Sequence, residues 1–238
     1  MSDAADFATD AEPGASGRLA PRRRSPSLEL VVVILLGVVS VATAYASFQA
    51  ALYDSHMASN YTRGQNAQTE AESLYLEANQ QYMQDAETWN RLLELEVEMR
   101  SADPETAAAA EEKADWLLLT SVDEDFADAI AWAMTENEAH PGEYVSPLEH
   151  DEYLSARFGA YEETKAQGDS FIAQGDLDNA NGDRLTLYTV LMAITLFLLG
   201  VAAVVRHRMV AWTLIVIGTA IFLVSAVLTA MVPFVALA

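Results

Sequence analysis

Three Ala-(Gln/Asn)-Gly-Asp tetrads recur at a spacing of seven between residues 166 and 183, and each carries a carboxylate that could bind a cation. An EF-hand calcium loop needs oxygen ligands at positions one, three and five, glycine at six and glutamate at twelve. Counted from Asp176, positions five and six hold Ala180 and Asn181. The residue types therefore argue against a calcium loop.

A second candidate is the run 149–152, in which His150 stands among three carboxylates. Its nitrogen and oxygen atoms suit a divalent cation, but consecutive helical residues point in different directions, so few can converge on one ion. The chain has no cysteine, and it contains no phosphate-binding loop, dinucleotide fingerprint, nucleophile elbow or paired-histidine zinc motif. We therefore expect a non-enzymatic protein with no catalytic residue, no cofactor and no metal site.

A period of seven also aligns like residues along one side of an α-helix. The tetrads would then present a glycine face and an alanine face to two neighbouring helices, with the aspartates as an acidic stripe toward water. Each glycine costs about 1 kcal/mol relative to alanine, so a helix and a frayed linker both stay open for 166–183. If the segment is helical, we expect it to pack closely against small residues of the chain's first long helix. These are Ala51, Ala58, Ser59 and Gly64.

Three runs without a charged side chain, residues 30–48, 185–205 and 209–232, are each long enough to cross a hydrocarbon core of about 30 Å. We interpret them as membrane-spanning helices in contact with lipid. The first run, preceded by arginines and ending in Ala-Thr-Ala-Tyr-Ala, also fits a signal peptide with a small-residue cleavage site. Its pattern continues amphipathically beyond Ala46, which favours an uncleaved span.

Arginines near these runs indicate the orientation, because positive residues collect at the cytoplasmic ends of spans. Three arginines at 22–24 precede the first run, and Arg206 and Arg208 stand between the second and third. Both groups lie in the cytoplasm if the N-terminus is inside and residues 49–184 are outside. The C-terminus is then outside as well.

The segment 49–184 holds 30 acidic residues against 7 basic ones, a balance of −23, whereas the rest of the chain has a balance of +1. An acidic surface repels nucleic acid and attracts cations or basic partners. We therefore expect no nucleic-acid binding and non-specific cation binding. Because the chain has only two lysines, a halophilic source and a GC-rich genome are both open as the origin of this acidity.

Capping signals divide 49–184 into helices. Residues 50–99 contain no proline and one glycine, which predicts a long helix continuing the first span. Asp103 before Pro104, and then Asp123, are typical N-caps, and Ser146 with Glu149 forms a capping box. The predicted fold class is all-α, with an antiparallel helical bundle between the first and second spans.

Aromatic residues Tyr75, Tyr82 and Trp89 recur every seven positions along the long helix. This spacing predicts a core stripe of coiled-coil type, with a ligand-binding aromatic box as the alternative. At about 1.5 Å per residue from the spans, Tyr75 should lie level with Gly159 and Ala160 rather than with the tetrads.

Small residues four apart in the spans, such as Ala42 and Ala46 or Ala226 and Ala230, permit close helix contacts. Glycines 37, 200 and 218 do the same. These contacts could form within the chain, between copies in a homo-oligomer, or with another membrane protein. The sequence does not distinguish the three.

The stretches YASFQAALYDS after the first span and NGDRLTLYTVLMAITLFLLG at the second resemble a group of uncharacterised prokaryotic three-span membrane proteins. The resemblance implies three spans and a helical extracytoplasmic domain, and it implies no functional residue. We expect the acidic domain to bind a partner or cation or to act as a structural cell-surface element. The alternative is a small sensor or an accessory subunit of a transporter or signalling complex.

The predicted organisation has seven segments. These are a disordered cytoplasmic tail 1–27, a first span 28–48, an acidic extracytoplasmic domain 49–184, a second span 185–205, a cytoplasmic turn 206–208, a third span 209–232 and an extracytoplasmic C-terminus 233–238.

Overall fold

A computed structural model describes residues 26–236 of the chain. The predicted tail 1–27 lies outside these residues, apart from its last two, which begin the first helix. Over the described range the structure consists of five α-helices and one 3-10 turn, without a strand. Their bounds are α1 Pro26–Met99, α2 Pro104–Ser121, α3 Glu124–Ala139, the 3-10 turn Pro147–Glu149, α4 Asp151–Val204 and α5 Arg208–Met231.

Three of these helices, α1, α4 and α5, contain segments long and apolar enough to cross a membrane. This confirms an all-α protein with three candidate membrane-spanning helices. Only 17%, 22% and 22% of the residues in the three apolar windows are buried. Most of their large apolar side chains are therefore exposed, as is typical of helices surrounded by lipid.

The described chain forms two compact units. An apolar unit contains residues 26–45 and 188–230, and an acidic unit contains residues 46–187 and 231–236. Because α1 and α4 are each one uninterrupted helix, both helices contribute residues to both units.

In the apolar unit, α4 and α5 meet at a glycine. The Thr195 hydroxyl donates to the Gly218 carbonyl oxygen at 3.3 Å, and a Cβ added at Gly218 would lie 3.6 Å from Leu198 Cβ. Gly37 and Gly200 have no such neighbour within 4 Å. Among the described residues, the predicted close helix contact is therefore observed at one of the three glycines.

In the acidic unit, α1 and α4 run antiparallel, since partners farther along α1 lie earlier on α4. Gly64 meets Gly168, whose carbonyl oxygen is 3.1 Å from an added Gly64 Cβ. Farther along α1, the Tyr75 ring lies 5.2 Å from that of Tyr161. The expected level of Tyr75, beside 159–160, is confirmed.

The tetrads are helical, because the whole segment 166–183 belongs to α4. Gly168, Gly175 and Gly182 are buried and face α1. The predicted neighbours were wrong except for Gly64, since Ala51, Ala58 and Ser59 are exposed. Other residues of α1 occupy those places instead: the Tyr61 ring lies against Gly175, and Asp54 Oδ1 and Tyr53 Cβ lie against Gly182. Because Gly175 on α4 has no side chain, the Tyr61 ring on α1 can lie against the helix backbone there.

The alanine face of the same segment is open, because Ala166, Ala173 and Ala180 are exposed. Among the described residues, therefore, the glycine face is covered and the alanine face is not, contrary to the expectation for both faces. The carboxylates beside the glycines take hydrogen bonds from α1. Tyr61 donates to Asp176 at 2.6 Å, and Asn60 donates to the buried Asp178 at 2.8 Å.

The residues after α5 are attached to α1 within the acidic unit. The buried Gln49 amide bonds both backbone groups of Val235, at 3.2 Å to its carbonyl oxygen and 3.1 Å from its N–H. The Tyr53 hydroxyl donates to the Pro233 carbonyl oxygen at 2.8 Å. These bonds satisfy polar groups that burial would otherwise leave unpaired.

All three predicted N-cap residues cap a helical element. Asp103 caps α2 through the Glu105 N–H, and Asp123 caps α3 through the Phe126 N–H. Ser146 is an N-cap as predicted, with Pro147 after it, but its hydroxyl accepts from the Leu148 N–H and caps the 3-10 turn rather than the long helix. Helix α4 begins later, at Asp151.

The glycine contacts predict opposite effects for two Gly→Ala substitutions. An added Cβ at Gly64 would lie 2.6 Å from Ile172 Cγ1, so Gly64→Ala should destabilise by about 1–3 kcal/mol through overpacking. At Gly159 the nearest atom would be 3.9 Å away, so Gly159→Ala should stabilise by about 0.5–1 kcal/mol. Thermal unfolding in detergent, followed by circular dichroism, measures both. Equal midpoints in the two variants would contradict the contact.

Candidate functional site: a buried arginine beside a polar cavity

The acidic unit has an aromatic core where α1, α3 and α4 meet. It contains Trp89, Phe126, Ile130 and Tyr153, with Tyr82 packed against it. Trp89 is 8% exposed, whereas Tyr75 is 43% exposed. The aromatic stripe is thus core at its Trp89 end and partly open at its Tyr75 end.

Arg157 of α4 lies beside this core with only 7% of its side chain exposed. Its Nη2 atom is 3.1 Å from Asp85 Oδ2 on α1 and 2.6 Å from Asp123 Oδ2, the cap of α3. Its Nη1 atom is 3.7 Å from Asp125 Oδ2. One guanidinium therefore connects α1, α3 and α4 through three carboxylates.

The Tyr153 side chain contacts both partners of this ion pair. Its centroid is 5.0 Å from Arg157 Cζ, and its hydroxyl donates to Asp85 Oδ2 at 2.7 Å. Arg157 Nε donates to that oxygen as well, at 3.1 Å. A cation over an aromatic face and a charge-assisted hydrogen bond both favour this arrangement.

The two partners of Asp85 titrate far from neutral pH. Burial, followed by the hydrogen bond to Asp85, raises the pKa of Tyr153. Burial acts to lower the pKa of Arg157, but its bonds to Asp123 and Tyr153 and the charge of Asp85 outweigh that effect and raise it. The guanidinium stays charged and the phenol stays protonated across the physiological range.

A cavity of about 640 Å³ adjoins this network and is open to solvent. Helix α1, the end of α2 and the α2–α3 linker form its walls, and most of the lining side chains are polar. The lining residues are Gln81, Gln84, Asp85, Glu87, Thr88, Arg91, Leu117, Thr120, Ser121, Val122 and Asp123. The buried Asp85 carboxylate belongs both to the network and to this wall.

The run 149–152 does not form a cation site in the part of the chain that the structure describes. No group of three or more His, Asp or Glu side chains lies there in an arrangement that could hold a metal ion. The His150 ring stacks on Trp132 instead, with 4.7 Å between ring centroids. Its Nδ1 atom is buried without a protein hydrogen-bond partner.

A second cavity, of about 650 Å³, lies beside the 140–146 loop. Trp89 Nε1 donates to the Tyr144 hydroxyl at 2.8 Å, and the Asn137 amide bonds both backbone groups of Val145. Tyr144 is 65% exposed. These hydrogen bonds hold the 140–146 loop in place. The Trp89 indole ring is buried, so little of its face is open to a ligand.

The site residues were not identified from the sequence. Asp85 precedes Tyr153 by 68 residues and Arg157 by 72, so no local motif joins it to them. The available signal was weak: Arg157 is one of seven basic residues in a segment with 30 acidic ones. A basic residue that is rare in such a segment is a natural partner for a buried carboxylate.

Comparison of the chain with protein families, with curated proteins and with solved structures gives no match. The resemblance to three-span prokaryotic proteins stays a prediction, and the site rests on its own geometry.

Arg157→Met should destabilise the protein by about 3 kcal/mol or more, because it leaves the buried Asp85 charge without its cation. Arg100→Met is the matched control, since Arg100 forms an ion pair with Glu96 while 73% exposed. Such exposed pairs contribute about 0–1 kcal/mol. Denaturant or thermal unfolding in detergent measures the difference. Similar losses in the two variants would refute a structural role for the network.

The raised pKa of Tyr153 predicts a loss of stability in alkali. Its ordinary pKa is 10.0, so above that pH the unfolded chain releases a proton that the folded chain retains. The unfolded state is then favoured by up to about 1.4 kcal/mol per pH unit from this group. Tyr153→Phe should therefore flatten the fall in unfolding midpoint between pH 9 and 11. An unchanged slope in this variant would show that the phenol does not contribute.

Proposed function

We propose that this chain is a non-enzymatic, multi-pass membrane protein whose acidic helical domain lies outside the cytoplasm and binds a positively charged ligand or partner. The observation that carries the proposal is the cavity beside Asp85. It combines a buried carboxylate, further carboxylates at Glu87 and Asp123, and several neutral hydrogen-bonding side chains. Such a wall attracts cations and has no grouping of nucleophile, base and oxyanion donors that would indicate catalysis.

The membrane assignment is supported by the three long apolar helices and by their exposed side chains. The sidedness is supported by the charge pattern: arginines precede α1 and separate α4 from α5, while the acidic residues are concentrated in 49–184. The proposed arrangement of 49–184 as an antiparallel bundle is supported by the reversed order of contacts between α1 and α4.

A sensor or accessory subunit of a transporter or signalling complex is the second candidate. It is favoured by the continuity of α1 and α4, each of which has residues in both units without a break. Ligand binding in the acidic unit could then be communicated along an unbroken helix to a membrane partner. The three residues 205–207 between α4 and α5 are too few to form an output domain, and in this second role we propose that the chain acts through another membrane protein.

The absence of cysteine allows a labelling test of the sidedness without background. Ser101→Cys places a thiol in the α1–α2 connection, and His207→Cys places one in the exposed α4–α5 turn. In intact cells a membrane-impermeant maleimide should label the Ser101→Cys protein and not the His207→Cys protein. Permeabilised cells should show both labelled, as the control for reactivity. Labelling of only the His207→Cys protein in intact cells would place the acidic domain in the cytoplasm and overturn the proposal.

A further inference from the structure

We propose that residues 232–236, which follow α5, form a strap that contacts lipid. The strap lies in the interfacial layer of the membrane, with the Phe234 side chain directed toward the acyl chains. This surface belongs to the acidic unit and is separate from its cavities, and the inference rests on the proposed function only for the membrane itself. The observation behind it is that the backbone and the side chains of the strap face opposite ways.

The polar backbone of the strap is bonded to two buried side chains of α1. Gln49 Nε2 donates to the Val235 carbonyl oxygen at 3.2 Å, and the Val235 N–H donates to Gln49 Oε1 at 3.1 Å. The Tyr53 hydroxyl donates to the Pro233 carbonyl oxygen at 2.8 Å. A non-helical segment in water can bond water instead, whereas a segment at the membrane needs protein partners for its backbone groups.

The large apolar side chains of the same region face away from the protein. Phe234 is 69% exposed, and Met231 before it is exposed as well. Phe48, which directly precedes Gln49 on α1, is also exposed. Water would favour the reverse arrangement, in which the aromatic ring is buried and the carbonyl groups are hydrated. Backbone bonds turned inward and apolar side chains turned outward are favoured by lipid.

The charged residues of the acidic unit begin just beyond the strap. Asp54 is the first charged residue of α1 after its apolar run, and Asp183 and Arg184 are the last of α4 before its own. The two helices reach this point at about one height, since a Cβ added at Gly182 would lie 3.0 Å from Asp54 Oδ1. The strap has no charged side chain. We therefore expect the boundary between lipid and water at the level of these charges, with the strap on its lipid side.

Lipid is favoured over a protein partner as the occupant of this surface. The strap follows directly on α5, whose apolar window is only 22% buried, so the lipid that surrounds this helix continues onto the strap. Phenylalanine and leucine are among the residues that interfacial segments insert at the boundary between headgroups and acyl chains. Without a charged side chain, the strap offers no ion pair to a protein partner.

The test uses the full-length protein in phosphatidylcholine bilayers, with one nitroxide spin label on an introduced cysteine, since the chain has none of its own. Electron paramagnetic resonance measures collisions of the label with oxygen, which concentrates in hydrocarbon, and with a water-soluble nickel chelate. The label is placed at Phe234→Cys. Leu177→Cys is the control, at a similarly exposed apolar position of α4 in the acidic unit. We expect the oxygen-to-nickel collision ratio at 234 to be at least about threefold that at 177.

Gln49→Leu tests how the strap is attached, because leucine is of similar size and cannot bond Val235. In this variant the label at 234 should move at least about twofold faster, since a chain terminus becomes mobile once it is no longer tied down. Gln65→Leu is the matched control, because Gln65 is an exposed glutamine of the same helix, and it should leave the line shape unchanged. Equal motion in the two variants would overturn the attachment through Gln49.

The collision ratios separate this inference from the proposed function. A ratio at 234 equal to that at 177 would place Phe234 in water and overturn the lipid contact. A label at 234 that neither probe reaches would show that another protein surface covers the strap, which also overturns it. A third label at Val216→Cys, an exposed position of α5, tests the membrane itself. The membrane assignment fails only if this label also collides mainly with nickel.

Discussion

The ion pair between Arg157 and Asp85 is the interaction on which the acidic unit depends. It joins α4 to α1 and, through Asp123, holds the residue that caps α3. A buried pair of this kind contributes little net stability by itself, because desolvation offsets attraction, but removing one partner is strongly unfavourable. Its main effect is therefore to exclude other arrangements of the three helices. The aromatic core beside it supplies the apolar burial.

The antiparallel contact between α1 and α4 has a different physical basis nearer the glycine tetrads. Gly175 of α4 leaves space that the Tyr61 ring of α1 fills, Gly182 lies against Asp54 and Tyr53 Cβ, and Gly64 meets Gly168 with no side chain between them. Glycine lowers the helix propensity at these positions, but it allows α1 and α4 to pack closely. The Tyr61 hydroxyl then donates to Asp176 and the Tyr53 hydroxyl to the Pro233 carbonyl oxygen. The register between α1 and α4 is thereby specified by which side chains fit against the glycines, rather than by a long apolar stripe.

The acidity of the domain and its cavity are related. With 30 acidic residues and 7 basic ones in the segment 49–184, few carboxylates can find an internal cation, and the burial of Arg157 removes one of the few available. Carboxylates near the buried pair are consequently left with unused acceptor capacity. The binding role that we propose is based on this surplus, because an external cation can supply what the chain itself lacks.

The sequence by itself determined the three apolar helices, the long α1, the caps at Asp103 and Asp123 and the all-α class, because these depend on local composition and on backbone groups within a few residues. It also determined the level at which Tyr75 meets α4, since helical rise is constant. Only the tertiary structure decided that the tetrads are helical, which residues of α1 meet each glycine, and that α4 begins at Asp151. It alone brought together Asp85, Tyr153 and Arg157 and placed Asp85 in the wall of a cavity. Those features depend on which residues meet across two helices, and local sequence carries no signal for contacts between residues so far apart in the chain.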